Sequence, residues 1–163
     1  MKNPWENEPN ELDFVTAVGL PAYIQRVEKL GHLCGYVLIP RGHPWFEKEY
    51  DAIHADVHGG LTYSRQETAT EEWWIGFDCG HAGDFTPSYS RSGSYRTVRY
   101  VKKECERLAL QVVCHRHCLM DADEKAVKTI IKAYKKFNKC KNKTDAQVMC
   151  RILKEGVVHE PVD

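Results

Sequence analysis

The chain has 163 residues, of which 42% are hydrophobic and 28% are charged, and its formal net charge is zero. This composition is ordinary for a globular protein, and the length predicts a single domain over residues 1–163. The apolar runs are too short to cross a bilayer, and the polar start lacks the pattern of a signal peptide. We therefore expect a cytoplasmic protein that has no membrane partner.

The zero net charge conceals two parts of opposite sign. Residues 1–95 carry 7 Lys and Arg against 14 Asp and Glu, whereas residues 96–155 carry 16 against 7. Such an asymmetry can steer a charged ligand or a charged partner toward one side of the molecule.

The seven cysteines are an odd number and contain no CxxC pair. A secreted disulfide framework does not fit this pattern. We expect mostly reduced thiols, several of them buried.

Two short helices are predicted near the N-terminus, after a loose lead-in over residues 1–9. Asn10 is expected to cap the first helix, whose apolar residues lie between positions 12 and 18 and which Gly19 ends. Pro21 begins the second helix, which Gly31 ends. The apolar residues of both recur at helical spacing and are expected to face the core.

Three strands are predicted next, over residues 34–39, 57–64 and 73–77. A long loop rich in proline, glycine and aromatic residues joins the first two strands. The polar residues 65–72 are expected to form an exposed hairpin connection between the second and the third.

A long helix is predicted after Ser94, which is expected to cap it. Its apolar residues alternate three and four positions apart, at Val98, Val101, Cys105, Leu108 and Val112. Capping boxes at residues 121–124 and 144–147 predict two more helices. The fold class is therefore α+β, with a small antiparallel sheet of about three strands packed with N-terminal and C-terminal helices.

Two motifs carry more polar residues than a core strand needs, at residues 56–60 and 77–84. Because a buried polar group costs free energy unless it is paired, this density indicates a functional site. His58, His81 and Asp78 are the candidate catalytic residues, since imidazole titrates near neutral pH. The alternative is that both histidines are hydrogen-bonded structural groups at strand ends.

The glycines and tryptophans of these motifs also allow two interpretations. Gly59 and Gly60 mark either a bulge or the close approach of a ligand. Trp73 and Trp74 should lie on opposite faces of their strand. One is expected in the core, and the other could form a pocket floor with Trp45, Tyr36 or Tyr63, unless the N-terminal helices cover that face.

Cysteine and histidine side chains also suggest a metal site. Cys79, His81 and His58 are the candidate ligands, with Cys34 or His43 to complete the set; no cofactor is assigned, and zinc is the ion that such ligands could bind. A second cluster at residues 114–118 lacks the paired spacing of a zinc finger. Cys79 could instead be a nucleophile with a histidine base, or a buried inert thiol.

The motifs resemble those of a family of small uncharacterised proteins of bacteriophages and prophages. The shared elements are Gly35-Tyr36, Gly42-His43-Pro44, Tyr50-Asp51, residues 57–63, residues 73–84, and Tyr100-Val101 with Glu104. The resemblance covers about residues 34–112 and implies a phage or prophage origin and a shared site, but no particular reaction. Residues 10–118 then form the family-like core, and residues 119–163 form a helical extension.

We expect a phage-associated protein that binds a small anionic or nucleotide-like ligand. The expected ligand contacts are His43, Asp51, His58, Thr62, Trp74, Asp78, His81 and Asp84. The first alternative is a hydrolase, with or without zinc, that uses the same histidine, aspartate and cysteine residues. The second is a module that docks on a host protein through the basic C-terminal helices. Nucleic acid is disfavoured because the lysines lie around a solvated helix face and the whole chain is neutral.

Overall fold

The fold is a five-stranded antiparallel sheet with one long helix packed on one face. The computed structural model describes residues 3–89 and 92–118, so the two helices predicted after residue 118 lie outside the described residues. The elements are β1 Glu11–Val15, β2 Pro21–Arg26, β3 Leu33–Ile39, β4 Tyr63–Gln66, β5 Trp73–Asp78 and α1 Val98–Cys118. The strand order is β1-β2-β3-β5-β4, and α1 packs mainly on β3. The predicted α+β class is confirmed.

The two predicted N-terminal helices are wrong, because this segment is the β1–β2 hairpin. In β2, Ala22 and Ile24 are buried while Tyr23 lies on the other face, which is the period of a strand. Leu12 and Phe14 show the same alternation in β1. These positions fit helical spacing equally well, and the antiparallel pairing of β1 with β2 and of β2 with β3 stabilises the strands. The sheet therefore has five strands instead of about three.

Two of the three strands predicted after residue 31 are confirmed. The first and third predicted strands are confirmed as β3 and β5, each one residue longer. The second begins only at Tyr63, because residues 57–60 form a turn in which Gly59 and Gly60 have φ of 66° and 86°. Strand geometry does not allow such angles. The connection over residues 65–72 is a hairpin, as expected, although β4 extends into it.

The core lies between the sheet and α1. The predicted helical stripe is confirmed: Val101, Cys105, Leu108 and Val112 are buried against sheet residues that include Val37, Ile75 and Phe77. Each fully buried aliphatic or aromatic side chain of this kind contributes roughly 1.5–3 kcal/mol. The helix comes so close to β3 that a Cβ at Gly35 would lie 2.6 Å from the Cys105 Sγ.

The two faces of the sheet are therefore unequal. Trp73 is buried on the α1 side, and Trp74 is half-buried on the opposite face, as the sequence predicts. Within residues 3–89 and 92–118, no helix packs on that second face. Among the same residues, no helix combines the length and the apolar character that a membrane span requires.

Candidate functional site

A cluster of polar side chains lies beside the first two turns of α1. The turn after residue 56 contributes His58, and the loop after β5 contributes His81 and Asp84; we call these three residues the histidine cluster. Arg96, just before α1, and Tyr100 and Glu104 of the helix surround it. Segments distant in sequence thus meet where the end of β5 lies near the start of α1.

Asp84 is the centre of the cluster and is only 4% exposed. Its Oδ2 accepts hydrogen bonds from the His58 ring at 2.7 Å and from the His81 backbone N–H at 3.1 Å, while Oδ1 accepts one from Arg96 Nε at 2.7 Å. Burial alone would raise the pKa of this carboxyl group. The hydrogen bonds from His58 and Arg96 outweigh burial and hold the pKa of Asp84 below its usual value. The group is therefore an ionised acceptor at neutral pH.

His58 is held from both sides of its ring. Nε2 faces Asp84, and Nδ1 lies 3.0 Å from the Tyr100 hydroxyl. Because the Asp84 carboxylate only accepts, the neutral imidazole carries its proton on Nε2, and Nδ1 accepts the Tyr100 O–H. The His58 backbone N–H donates to Glu104 at 2.9 Å. The ring is therefore fixed in one orientation, at the middle of a Tyr100–His58–Asp84 chain.

His81 is the most exposed member of the cluster, with 31% of its side chain accessible. Its ring lies edge-to-face against His58, with the centroids 5.6 Å apart. Its Nδ1 is 3.9 Å from Asp84 and 3.7 Å from Asp78, and it has no hydrogen-bond partner in the described part of the chain. A Cβ at Gly59 would clash with this ring, which explains why glycine follows His58.

The histidine cluster can hold a metal ion. One ring nitrogen from each histidine and one oxygen of Asp84 lie within 4.8 Å of one another. Tetrahedral bonds of 2.0–2.1 Å would place neighbouring ligand atoms about 3.3 Å apart. The His58–Asp84 and His81–Asp84 separations of 2.7 and 3.9 Å bracket that value. Tyr100 on His58 and Arg96 on Asp84 are the kind of outer partners that orient metal ligands.

The other two residues of the predicted site around His81 lie beside the cluster. Asp78 stands at its margin, and its Oδ1 accepts the Gly80 N–H at 2.8 Å. Cys79 is only 1% exposed and packs in the core. Burial raises the pKa of its thiol far above the usual value, which is typical of an unreactive cysteine.

Three predicted ligand contacts lie away from the histidine cluster. His43 is buried; its Nδ1 accepts the Trp45 N–H, and its Nε2 bonds the Val112 carbonyl at 2.9 Å. Val112 is about three helical turns beyond Tyr100. Asp51 is exposed in the short 3₁₀ turn Tyr50–Ala52, and Thr62 is exposed beside β4. The structure therefore divides the predicted contacts among several places.

Trp74 belongs to a separate groove on the sheet face opposite α1. We call this the aromatic groove; it has a volume of about 440 Å³. Its lining residues are Asp13, Tyr23, Gln25, Tyr36, Tyr63, Glu67, Thr70, Glu72 and Trp74. Tyr36 and Tyr63 join Trp74, as the sequence suggests, whereas Trp45 is buried in the core with the α1 residues.

The four cysteines for which the structure gives burial lie in buried positions, as expected. Cys34, Cys79, Cys105 and Cys114 are all buried. The cysteine and histidine cluster at residues 114–118 includes residues 116–118, whose side chains lie outside the described part of the chain.

Sequence reasoning did not assign Arg96, Tyr100 and Glu104 to the site. Tyr100 and Glu104 are four positions apart and follow one edge of α1, and Arg96 lies four positions before them, but that spacing is equally typical of a solvated helix face. His32 was missed as well. It is only 8% exposed, its Nδ1 lacks a hydrogen-bond partner among the described residues, and no sequence signal distinguishes it.

Comparison with protein-family models, curated proteins and solved structures finds no significant match to this chain. The resemblance to phage proteins therefore stays a prediction. Any assignment of function rests on the geometry of the residues described above.

Proposed function

We propose that the histidine cluster binds a zinc ion and that the protein uses this site to hold a small anionic, nucleotide-like ligand. The convergence of two histidines and one buried carboxylate on one point is the observation that carries the proposal. Two imidazoles and a carboxylate are a frequent ligand set for zinc and for other transition metals, and three protein ligands leave a coordination position open.

Metal binding would replace one hydrogen bond of the cluster. For His58 Nε2 to bind the metal, its proton would move to Nδ1, so that the neutral ring changes tautomer and the Nδ1–H donates to the Tyr100 hydroxyl oxygen. Arg96 would continue to hold the other oxygen of Asp84 at 2.7 Å. The cluster therefore needs no large rearrangement to accept the ion.

The open coordination position and Arg96 are the features that favour an anion. Arg96 stays 29% exposed while it pairs with Asp84. The backbone of the loop after β5 offers an anion less, because the Gly80 and His81 amides already donate to Asp78 and Asp84. A phosphate group would thus bind through the metal and the guanidinium. With a phage origin, such a site could sequester a host signalling nucleotide in the cytoplasm.

Elemental analysis of the purified full chain tests the metal. We expect about one zinc per chain, or uptake of one zinc by chelator-treated protein in a calorimetric titration. His81→Ala should lose this uptake, whereas His54→Ala, at an exposed histidine outside the cluster, should retain it. Absence of uptake by the wild type, or unchanged uptake by His81→Ala, would contradict the proposal.

A thermal-shift series with nucleotides tests the ligand. AMP and related nucleotides should raise the melting temperature of the zinc-loaded protein and have little effect after chelation. An equal shift with and without zinc would separate nucleotide binding from the histidine cluster and contradict the second half of the proposal.

Hydrolysis by the same cluster is the second candidate, and the Tyr100–His58–Asp84 chain favours it. A zinc ion with an open position supplies a bound water of lowered pKa. The chain of hydrogen bonds fixes the orientation of His58 and places a phenol O–H beside it. Chromatography of the nucleotides after incubation decides: conversion supports a hydrolase, and stabilisation without conversion supports a binding protein. The third alternative, docking on a host protein, concerns helices outside the described residues and stays a prediction.

A further inference from the structure

The floor of the aromatic groove is one continuous row of register partners across all five strands. Asp13 pairs with Tyr23, Tyr23 with Tyr36, and Tyr36 with Gly76, which also pairs with Tyr63. Because paired residues point to the same side of a sheet, these side chains share the face opposite α1. Trp74 lies two residues from Gly76 on the same strand and the same face.

The rings of this row pack on one another and remain half-exposed. The Tyr36 ring lies 5.0 Å from that of Tyr63 and 6.0 Å from that of Tyr23. It also covers Gly76, where a Cβ would approach Tyr36 to 2.5 Å. The missing side chain at Gly76 therefore lets the aromatic floor lie close to the backbone, and it leaves space above the rings.

The charged side chains that line the groove are all carboxylates. Asp13 lies at one end, Glu67 and Glu72 lie at the hairpin end, and the lining residues that the structure describes include no Lys, Arg or His. Arg65 pairs with Trp74 across the strands but is not part of the lining. Burial, followed by the charges of Glu11 and Asp13, raises the pKa of Tyr23, which agrees with a negative field at that end.

We infer that the aromatic groove is a second binding site, separate from the histidine cluster, and that its ligand is a small organic cation with an apolar or aromatic body. The faces of tyrosine and tryptophan rings attract cations, and the carboxylates at the two ends add to that attraction. The volume of about 440 Å³ lies in the range of small-molecule sites. The same carboxylates repel an anion.

The groove does not depend on the proposed zinc site. The groove uses the face of the sheet that α1 leaves open, whereas the histidine cluster lies against α1. No residue lines both. A protein that fails to bind zinc can still bind a cation in the groove, and the reverse also holds.

Calorimetry on the full chain with three small probes tests this inference. The probes are benzyltrimethylammonium, neutral benzyl alcohol and anionic benzoate, at low ionic strength. We expect benzyltrimethylammonium to bind at least tenfold more tightly than benzyl alcohol, and benzoate to show no binding. Asp13→Asn and Glu72→Gln should each weaken the cation about three- to tenfold and leave benzyl alcohol unchanged.

Glu28→Gln is the matched control, because Glu28 is an exposed carboxylate in the β2–β3 connection, outside the groove. It should leave the cation affinity unchanged. Equal binding of all three probes, a preference for benzoate, absence of cation binding, or an equal loss in Glu28→Gln and Asp13→Asn would each overturn the inference.

Discussion

The histidine cluster and the aromatic groove are built in opposite ways on the same sheet. The cluster gathers polar groups from segments distant in sequence and joins them in hydrogen bonds around a buried carboxylate. The groove gathers aromatic groups from neighbouring strands, one register partner beside the next, and leaves them half-exposed. The histidine cluster depends on how helix and sheet pack, whereas the groove depends on strand register and on the β4–β5 hairpin connection.

The two sites also differ in the charges that a ligand would meet. Asp84 is balanced by Arg96 and His58, so a metal must take the place of an existing hydrogen bond. The groove has three carboxylates and no basic residue in its described lining, although Arg65 lies on the same face beside Trp74, so the charges in direct reach of a bound cation are negative. We therefore expect changes at one site to leave the other intact, which the following predictions test.

Asp84→Asn should have the largest effect. An amide cannot serve as the charged acceptor for His58, Arg96 and the His81 N–H at once, so at least one buried donor loses its partner. We expect a loss of about 3–5 kcal/mol in the free energy of unfolding, measured in urea, and loss of zinc uptake. If the variant is as stable as the wild type, Asp84 is not the centre of the cluster.

Gly59→Ala should be next, because it combines strained backbone with a clash. The alanine would adopt a left-handed φ of 66° and would displace the His81 ring. The strain alone costs about 1–2 kcal/mol, and the displaced ring should weaken zinc binding by more than tenfold.

Gly60→Ala separates these two effects. Gly60 has a similar φ of 86°, but nothing lies within 4 Å of an added Cβ. This variant should lose similar stability and keep its zinc affinity. If both alanine variants keep zinc equally well, His81 is not a ligand.

Tyr100→Phe should have a moderate effect, since it removes only the hydroxyl group on His58 Nδ1. Loss of one partly buried hydrogen bond costs about 1 kcal/mol, and loss of an outer partner should weaken zinc about tenfold. The benzyltrimethylammonium affinity should not change. A change in cation binding of similar size would contradict the independence of the two sites.

Trp74→Leu makes the reverse test. The indole lines the groove on the face opposite α1, so the variant should weaken benzyltrimethylammonium about fivefold by removing one ring face. Zinc uptake and the thermal shift with nucleotides should stay as in the wild type. A loss of zinc would show that the two faces of the sheet are coupled.

The pH dependence of stability should show the smallest effect. Burial, followed by the charge of Lys48, lowers the pKa of His115 in the folded protein. In the unfolded chain, the imidazole of His115 binds a proton near pH 6.5. The contribution of His115 to the free energy of unfolding is therefore fully present above that pH, and it decreases as the pH falls toward the folded pKa. His115→Gln should flatten this decrease in urea titrations between pH 7.5 and 5.5. The exposed His54→Gln should not.

Several features of the fold were readable from the sequence because they depend on local patterns. The short apolar runs of β3 and β5, the polar hairpin between β4 and β5, and the stripe on α1 are each contained within one segment. The opposite placement of Trp73 and Trp74 follows from the alternation of side chains along a strand. The dense motifs also singled out His58, His81 and Asp84, which the structure brings together, because polar residues in apolar runs need partners.

The rest of the fold depended on contacts between segments. The apolar positions of residues 10–31 fit either a helix or a strand, and the hydrogen bonding of β1 to β2 and of β2 to β3 stabilises the strands. The partners of His58 could not be read from its motif, because Tyr100, Glu104 and Arg96 reach it only through the position of α1 on the sheet. Local sequence patterns thus indicate which residues need partners, and the packing of α1 on the sheet decides which partners they find.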